Sequence, residues 1–211
     1  AEGDITSRTE TTDVTDTLID AAIAQLTGDI MQKPAAVSAI KIDGKRAHER
    51  VRDGETVDIP ARPVTVHRFD VLDRRSVDGY IDLDVDVFCS SGTYIRSLAR
   101  DLGNALGVGG HLTALRRTTV GPFDLTHART LEELEDNPQL SLTLDQALAV
   151  SFPVLRVSGE EGHKLAMGQW LEPRGLKGIH AAVTPDGQAV ALVKEKGKRL
   201  ATVFVARPST L

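Results

Sequence analysis

Tyr94 and Arg96 stand two positions apart in CSSGTYIRSLARDLG, residues 89–103, where an alternating strand gives way to a small polar turn and an amphipathic helix. The turn itself needs only small residues. A guanidinium in the first turn of a helix opposes the partial positive charge of the helix amides, which favours acids there. Arg96 makes chemical sense at that place if a carboxylate or phosphate from elsewhere sits opposite it, where the planar guanidinium can form a two-pronged pair. The competing reading is a surface arginine beside a core tyrosine, which composition alone favours.

Other chemistry finds less support. The histidines, His48, His67, His111, His127, His163 and His180, are scattered with no i, i+4 pair, so a metal site is not expected. No G-x-S-x-G elbow nominates a serine nucleophile. GNALGVGG is glycine-rich but lies between two helical patterns and lacks the Lys-Ser/Thr of a phosphate loop, so it reads as helix-capping turns. Asp82, Asp84 and Asp86 recur at period two, which is the spacing of a solvated strand face.

The elements that must hold Tyr94 and Arg96 follow from periodicity. YIDLDVDVFC alternates Ile81, Leu83, Val85, Val87 and Cys89 against aspartates and Phe88, as a half-buried antiparallel strand does. ARPVTVHRFDVLDRR is a second strand. Ile95, Leu98, Leu102 and Leu106 keep helical spacing up to Gly107, and GVGGHLTALRR predicts a further short helix near His111. Upstream, Leu18, Ile19, Ala22, Ile23 and Leu26 form a helical stripe capped by Thr15 or Asp16 and stopped by Gly28. Between them AVSAIKIDGKRAHERVRDGE reads as an exposed hairpin-like excursion turning at Asp43-Gly44. Downstream, Thr130 with Glu133 and Thr143 with Gln146 fit capping boxes. Past a boundary near Phe152-Pro153, a short helix and strands 179–183, 189–193 and 201–205 predict a β-meander.

The totals fit one or two soluble domains: 211 residues, 41% hydrophobic and 26% charged. A single cysteine, Cys89, and no apolar run near the ~20 residues of a membrane span point to a cytoplasmic protein. The net charge of −5 is uneven. Residues 1–30 hold seven acids and one base, whereas residues 177–211 hold six bases and two acids. Local binding of nucleic acid is therefore permitted, although the total does not call for it.

The stretch CSSGTYIRSLARDLGNALGVGGHLTALRRTTVGPF resembles, over more than thirty residues, a signature block of the tRNA pseudouridine synthase B (TruB) family, shared with the dyskerin branch. KPAAVSAIKIDGKRAHERVRDGETVDIPARPV is similar to the TruB thumb insertion through Pro34, Ser38, Ala39, Lys41 and Gly44, and the dyskerin branch lacks that thumb. His48 stands where the thumb pattern usually has tyrosine; imidazole can also stack on a base. The family's G-H-x-G-T-L-D-P block, with its catalytic aspartate, and its K-x-Y pattern do not occur in the sequence. Ala1-Glu2-Gly3 resembles the stretch after those blocks, so the expectation is a truncated chain that lacks the nucleophile.

The resemblance implies an α+β fold: residues 1–152 as part of the catalytic domain, a mixed and largely antiparallel sheet with helices and a thumb at about 33–62, then a PUA-like β-domain at 153–211. It implies a tRNA pseudouridine-55 synthase, an isomerase of tRNA processing that flips a T-loop uridine into a pocket and uses no cofactor and no metal. By position, Arg96 would pair with the absent aspartate, Tyr94 would lie against the flipped base and Leu115 would wall the pocket. Lys41, Lys45, Arg46, His48, Arg50, Arg52, Arg116 and Arg117 would contact RNA, with the 194–199 turn adding phosphate contacts. The implied partners are the tRNA T-arm and the enzyme's own N-terminal segment. Two alternatives stay open, a non-catalytic T-arm binding module and a dyskerin-like component working with guide RNA.

Overall fold

The computed structural model describes residues 7–34, 41–42, 45–46 and 59–208, with 41–42 and 45–46 described by their backbone alone. The chain forms two compact units, Ala1–Leu115 and Arg116–Leu211.

In the first unit Thr15 caps the opening helix, its side chain accepting the Leu18 amide at 3.3 Å. Helix α1 (Asp16–Gln25) buries Ile19, Ala22 and Ile23 and leaves Leu18 exposed. Gly28, at φ 92°, turns the chain into strand β1 (Gly28–Gln32). A short antiparallel ladder follows, β2 (Lys41–Ile42) with β3 (Lys45–Arg46), which is the expected hairpin at the backbone level. Strands β4 (Arg62–Val77) and β5 (Tyr80–Cys89) are joined by Asp78-Gly79, both at positive φ, as a two-residue turn that matches strand twist requires. The sheet order is β1-β4-β5, antiparallel throughout.

Register shifts at His67 and Leu72 each add one residue to β4. Val66, Phe69 and Val71 therefore all pack in one core, although they do not keep one parity. That core joins Ile19, Ala22, Ile23, Val66 and Phe69 to Leu98 and Leu102 of helix α2 (Ile95–Ala105). The aspartate row of β5 is a charged outer face: Arg75 holds Asp84 at 2.7 and 3.0 Å, and Arg68 pairs with Asp86.

The helix expected near His111 does not form. Gly107 and Gly109, both at φ 74°, reverse the chain, and the Val108 and Gly109 amides bond back to Gly103 O, each at 3.0 Å. Residues 111–118 run without helix or strand into a two-strand ladder, β6 (Thr119–Val120) with β7 (Phe123–Asp124). The glycine run is a helix-ending turn, as read from its position.

In the second unit a 3₁₀ turn (Leu125–His127) precedes α3 (Leu131–Asp136) and α4 (Leu144–Ser151), both started by the predicted capping boxes. The sheet has order β11-β10-β9-β8, built from β8 (Val154–Arg156), β9 (Ile179–Val183), β10 (Ala189–Lys196) and β11 (Arg199–Val205). The three antiparallel strands are the expected meander, and β8 adds a parallel edge to β9. Helix α5 (Gly159–Ala166) contributes Leu165 to one apolar cluster and α4 contributes Leu148 to another. The first five residues of β10, AVALV, are buried on both faces between these clusters, which is why they read as a continuous apolar run.

Candidate active site

The turn between β5 and α2 is held by its small residues. Ser90 donates its amide to Thr65 O at 2.8 Å, its hydroxyl accepts the Thr65 amide at 3.0 Å, and the Thr93 hydroxyl donates to Ser90 O at 2.9 Å. Gly92 at φ 88° completes the reversal. These contacts fix where α2 starts, with Tyr94 as the residue just before its first turn.

Tyr94 is the N-cap residue, half-buried, and its side chain makes no capping bond. Its carbonyl accepts the amides of Ser97 at 3.0 Å and Leu98 at 3.1 Å. Arg96, in the first turn, is exposed and has no hydrogen-bond or ion-pair partner among the described residues. The next guanidinium differs: Arg100 bonds Asp101 Oδ1 and Lys33 O. Below the mouth, Ser97 is fully buried with no partner for its hydroxyl among the described residues, and Leu98 and Leu102 anchor the helix in the core. The result is a helix N-terminus, anchored in the core, that carries a half-buried aromatic residue and, two positions on, an exposed guanidinium with no partner among the described residues.

The other residues expected at the site are spread more widely. Leu115 is 60% exposed in the irregular segment after Gly110 and lies outside the core clusters. Arg116 and Arg117 are exposed at the start of the second unit. Lys41, Lys45 and Arg46 sit in the β2–β3 ladder, whose side chains are not described, and His48, Arg50 and Arg52 lie outside the described residues. In the 194–199 turn, Lys194, Lys196, Lys198 and Arg199 are exposed, with the Arg199 guanidinium 4.7 Å from the ring centre of Trp170.

One residue at this site carries no motif. Gln32, 2% exposed at the end of β1, accepts the Tyr94 amide on Oε1 at 2.7 Å and donates Nε2 to Tyr94 O at 3.1 Å. Its only signal in the sequence is a polar residue in inward phase with Ile30 on a short strand.

Among the described residues no group of three His, Cys, Asp or Glu side chains could hold a metal ion, and no helix is long and apolar enough to cross a membrane.

Three family profiles match in succession: TruB family pseudouridylate synthase (N terminal domain) over residues 1–95, tRNA pseudouridylate synthase B C-terminal domain over 96–149, and tRNA pseudouridine synthase II, C terminal, over 152–207. The whole chain is 70% identical to tRNA pseudouridine synthase B of Corynebacterium efficiens and spans 71% of that protein. It is 57% identical to the Nocardia farcinica protein of the same name, spanning 69% of it. Among solved structures, a chain of a Cbf5-Nop10-Gar1 complex matches 95% of this chain with a TM-score of 0.68 at 24% identity, and this chain spans 65% of its length. That likeness shows a shared α+β fold. On the family matches and the 70% identity the chain belongs to the tRNA pseudouridine synthase B (TruB) family.

Proposed function

We propose that this chain carries the greater part of a tRNA pseudouridine-55 synthase, with the Tyr94–Arg96 helix mouth as one wall of its uridine pocket. The observation that carries the reading is Arg96: an exposed guanidinium against the helix dipole, with no partner among the described residues. A carboxylate arriving opposite it would be held ionised and aimed by a planar two-pronged pair. In this family that group is the aspartate of the G-T-L-D-P block, which the sequence does not contain. It attacks a flipped uridine, the base detaches, and the ring rejoins through carbon. Tyr94 lies against the base and Leu115 closes an apolar side once RNA is bound. RNA itself is met by the thumb at 33–62, with Lys41, Lys45, Arg46, His48, Arg50 and Arg52, by Arg116 and Arg117, and by the 194–199 turn. The tRNA T-arm is the substrate, residues 1–152 are the catalytic part, and 153–211 form a PUA-like domain.

The guide-RNA alternative rests on the Cbf5 likeness, which concerns the fold; the relatives of high identity favour the tRNA enzyme. The test is conversion of a T-arm stem–loop, without guide RNA, by the full-length enzyme and by the 211-residue chain. The full-length enzyme should form pseudouridine at the T-loop uridine alone, and the 211-residue chain should bind without converting, because positioning cannot replace a covalent nucleophile. Turnover by the 211-residue chain, or a need for guide RNA, would overturn the reading.

A further inference from the structure

Four of the helices start in the ordinary local way, with the side chain of a Ser or Thr accepting an amide of the first turn; in α3, α4 and α5 a Glu or Gln at the third helical position also accepts the cap residue's own amide. Helix α2 does neither. Its cap residue is Tyr94, its third residue is Ser97, whose hydroxyl bonds nothing described, and the acceptor for the Tyr94 amide comes from Gln32, 62 positions away. Gln32 also donates to the Tyr94 carbonyl, so one buried side chain holds both backbone polar groups of that residue. A local cap only steadies its own helix. A remote one ties the helix mouth to a second element.

The second element matters. Gln32 ends β1, and the insertion at 33–62 begins at the next residue. That next residue is tied to the same helix, because Arg100 Nη2 donates to Lys33 O at 2.6 Å while its Nε holds Asp101 at 2.8 Å. The root of the insertion is thus fastened to α2 at two points, one at its mouth and one in its second turn. A side-chain amide left 2% exposed is costly to bury unless it is bonded, and here both its nitrogen and its oxygen have a partner.

We infer that Gln32 is a positioning residue: it sets the backbone of Tyr94, and with it the aim of Tyr94 and Arg96, from the root of the RNA-binding insertion. This rests on the reading of Tyr94 and Arg96 given above, so the test carries one arm that does not depend on activity. Gln32→Met keeps the length and removes both bonds. Gln32→Glu keeps the acceptor but, when ionised, sets a carboxylate oxygen against the Tyr94 carbonyl; when protonated, its hydroxyl can donate there again.

In the 211-residue chain, hydrogen-exchange protection of the Tyr94 amide should fall roughly tenfold or more in Gln32→Met, and should be low in Gln32→Glu at neutral pH and recover as the buffer is acidified. In the full-length enzyme, Gln32→Met should lower the single-turnover rate at saturating T-arm RNA roughly tenfold while RNA affinity stays within about twofold. Unchanged Tyr94 protection in Gln32→Met overturns the tie. A normal saturating rate with protection lost, or a rate that falls only in step with the melting temperature, overturns the positioning role. A normal rate in Arg96→Ala overturns the reading of the mouth instead, and Tyr94 protection then still decides the tie.

Discussion

Arg96 sits where helix amides disfavour a cation and no described acid compensates, and the proposed reading supplies that compensation as a carboxylate from outside the described residues. In the full-length enzyme Arg96→Ala should therefore slow single-turnover pseudouridine formation roughly thirty- to a thousandfold with little change in melting temperature. Arg96→Lys keeps the charge but loses the planar fork, so it should recover only part of the rate. A loss of activity matched by a loss of stability would make the arginine structural. Tyr94→Phe separates two roles of its neighbour: it keeps the ring and removes the hydroxyl, so near-normal turnover assigns stacking, and a large loss in the same assay assigns proton transfer. The sequence made this pair legible because a cation at a helix start is unusual within a window of a few residues. Gln32 was not legible, because its partner is 62 residues away and an amide's use is visible only once β1 and α2 are placed together.

Elements governed by local rules were read well, and those governed by distant contacts were not. The capping boxes at Thr130 and Thr143 formed as predicted because donor and acceptor lie within four residues. Strand β8 went unread because it is three residues long and finds its parallel partner only at Ala181 and beyond. The helix expected near His111 failed because the glycine loop closes onto α2 instead. A Cβ on Gly103 would lie 2.1 Å from the Gly109 carbonyl carbon and 2.2 Å from the Gly110 nitrogen, both backbone atoms that cannot swing away. Gly103→Ala should therefore cost ~1–3 kcal/mol in chemical unfolding through overpacking, while alanine's helix propensity alone would predict a gain. In the second unit, Glu161 accepts the Ser158 amide and pairs with Arg174, and these contacts, the amide first, hold its carboxyl below the usual range. A depressed folded value means the stabilisation is complete above the ordinary carboxylate pKa and is lost as pH falls through the folded one. Glu161→Gln preserves the cap but not the ion pair, so it should melt a few degrees lower at pH 7, with the gap to the parent chain closing toward pH 3. A gap that persists in acid would assign the effect to packing.

At the scale of the molecule, the proposed function requires an acidic chain to meet a polyanion, which it can do only through patches. The net charge is −5, yet the thumb segment 41–52 holds five Lys or Arg side chains against two acids, and residues 177–211 hold six bases against two acids. Composition made this asymmetry visible, but not which cations reach RNA, since that depends on how loops stand when RNA is bound. The exposed Lys194, Lys196 and Lys198 border an arginine stacked on Trp170, an arrangement suited to phosphates with a ring alongside. If these patches carry the binding, T-arm affinity of the 211-residue chain should fall steeply between 50 and 300 mM salt, because each neutralised phosphate contributes a slope of roughly −0.7 to −0.9 in log K against log salt. Replacing Lys45, Arg46, Arg50 and Arg52 with alanine should flatten that slope by about two to four units if each meets one phosphate, and replacing Lys194, Lys196 and Lys198 should flatten it independently. The two sets should add if they meet different phosphates. Filter binding across the salt series decides it: an affinity indifferent to salt, or a slope unchanged in both sets of variants, would mean that RNA is held by other residues and that these cations are ordinary solvated turns.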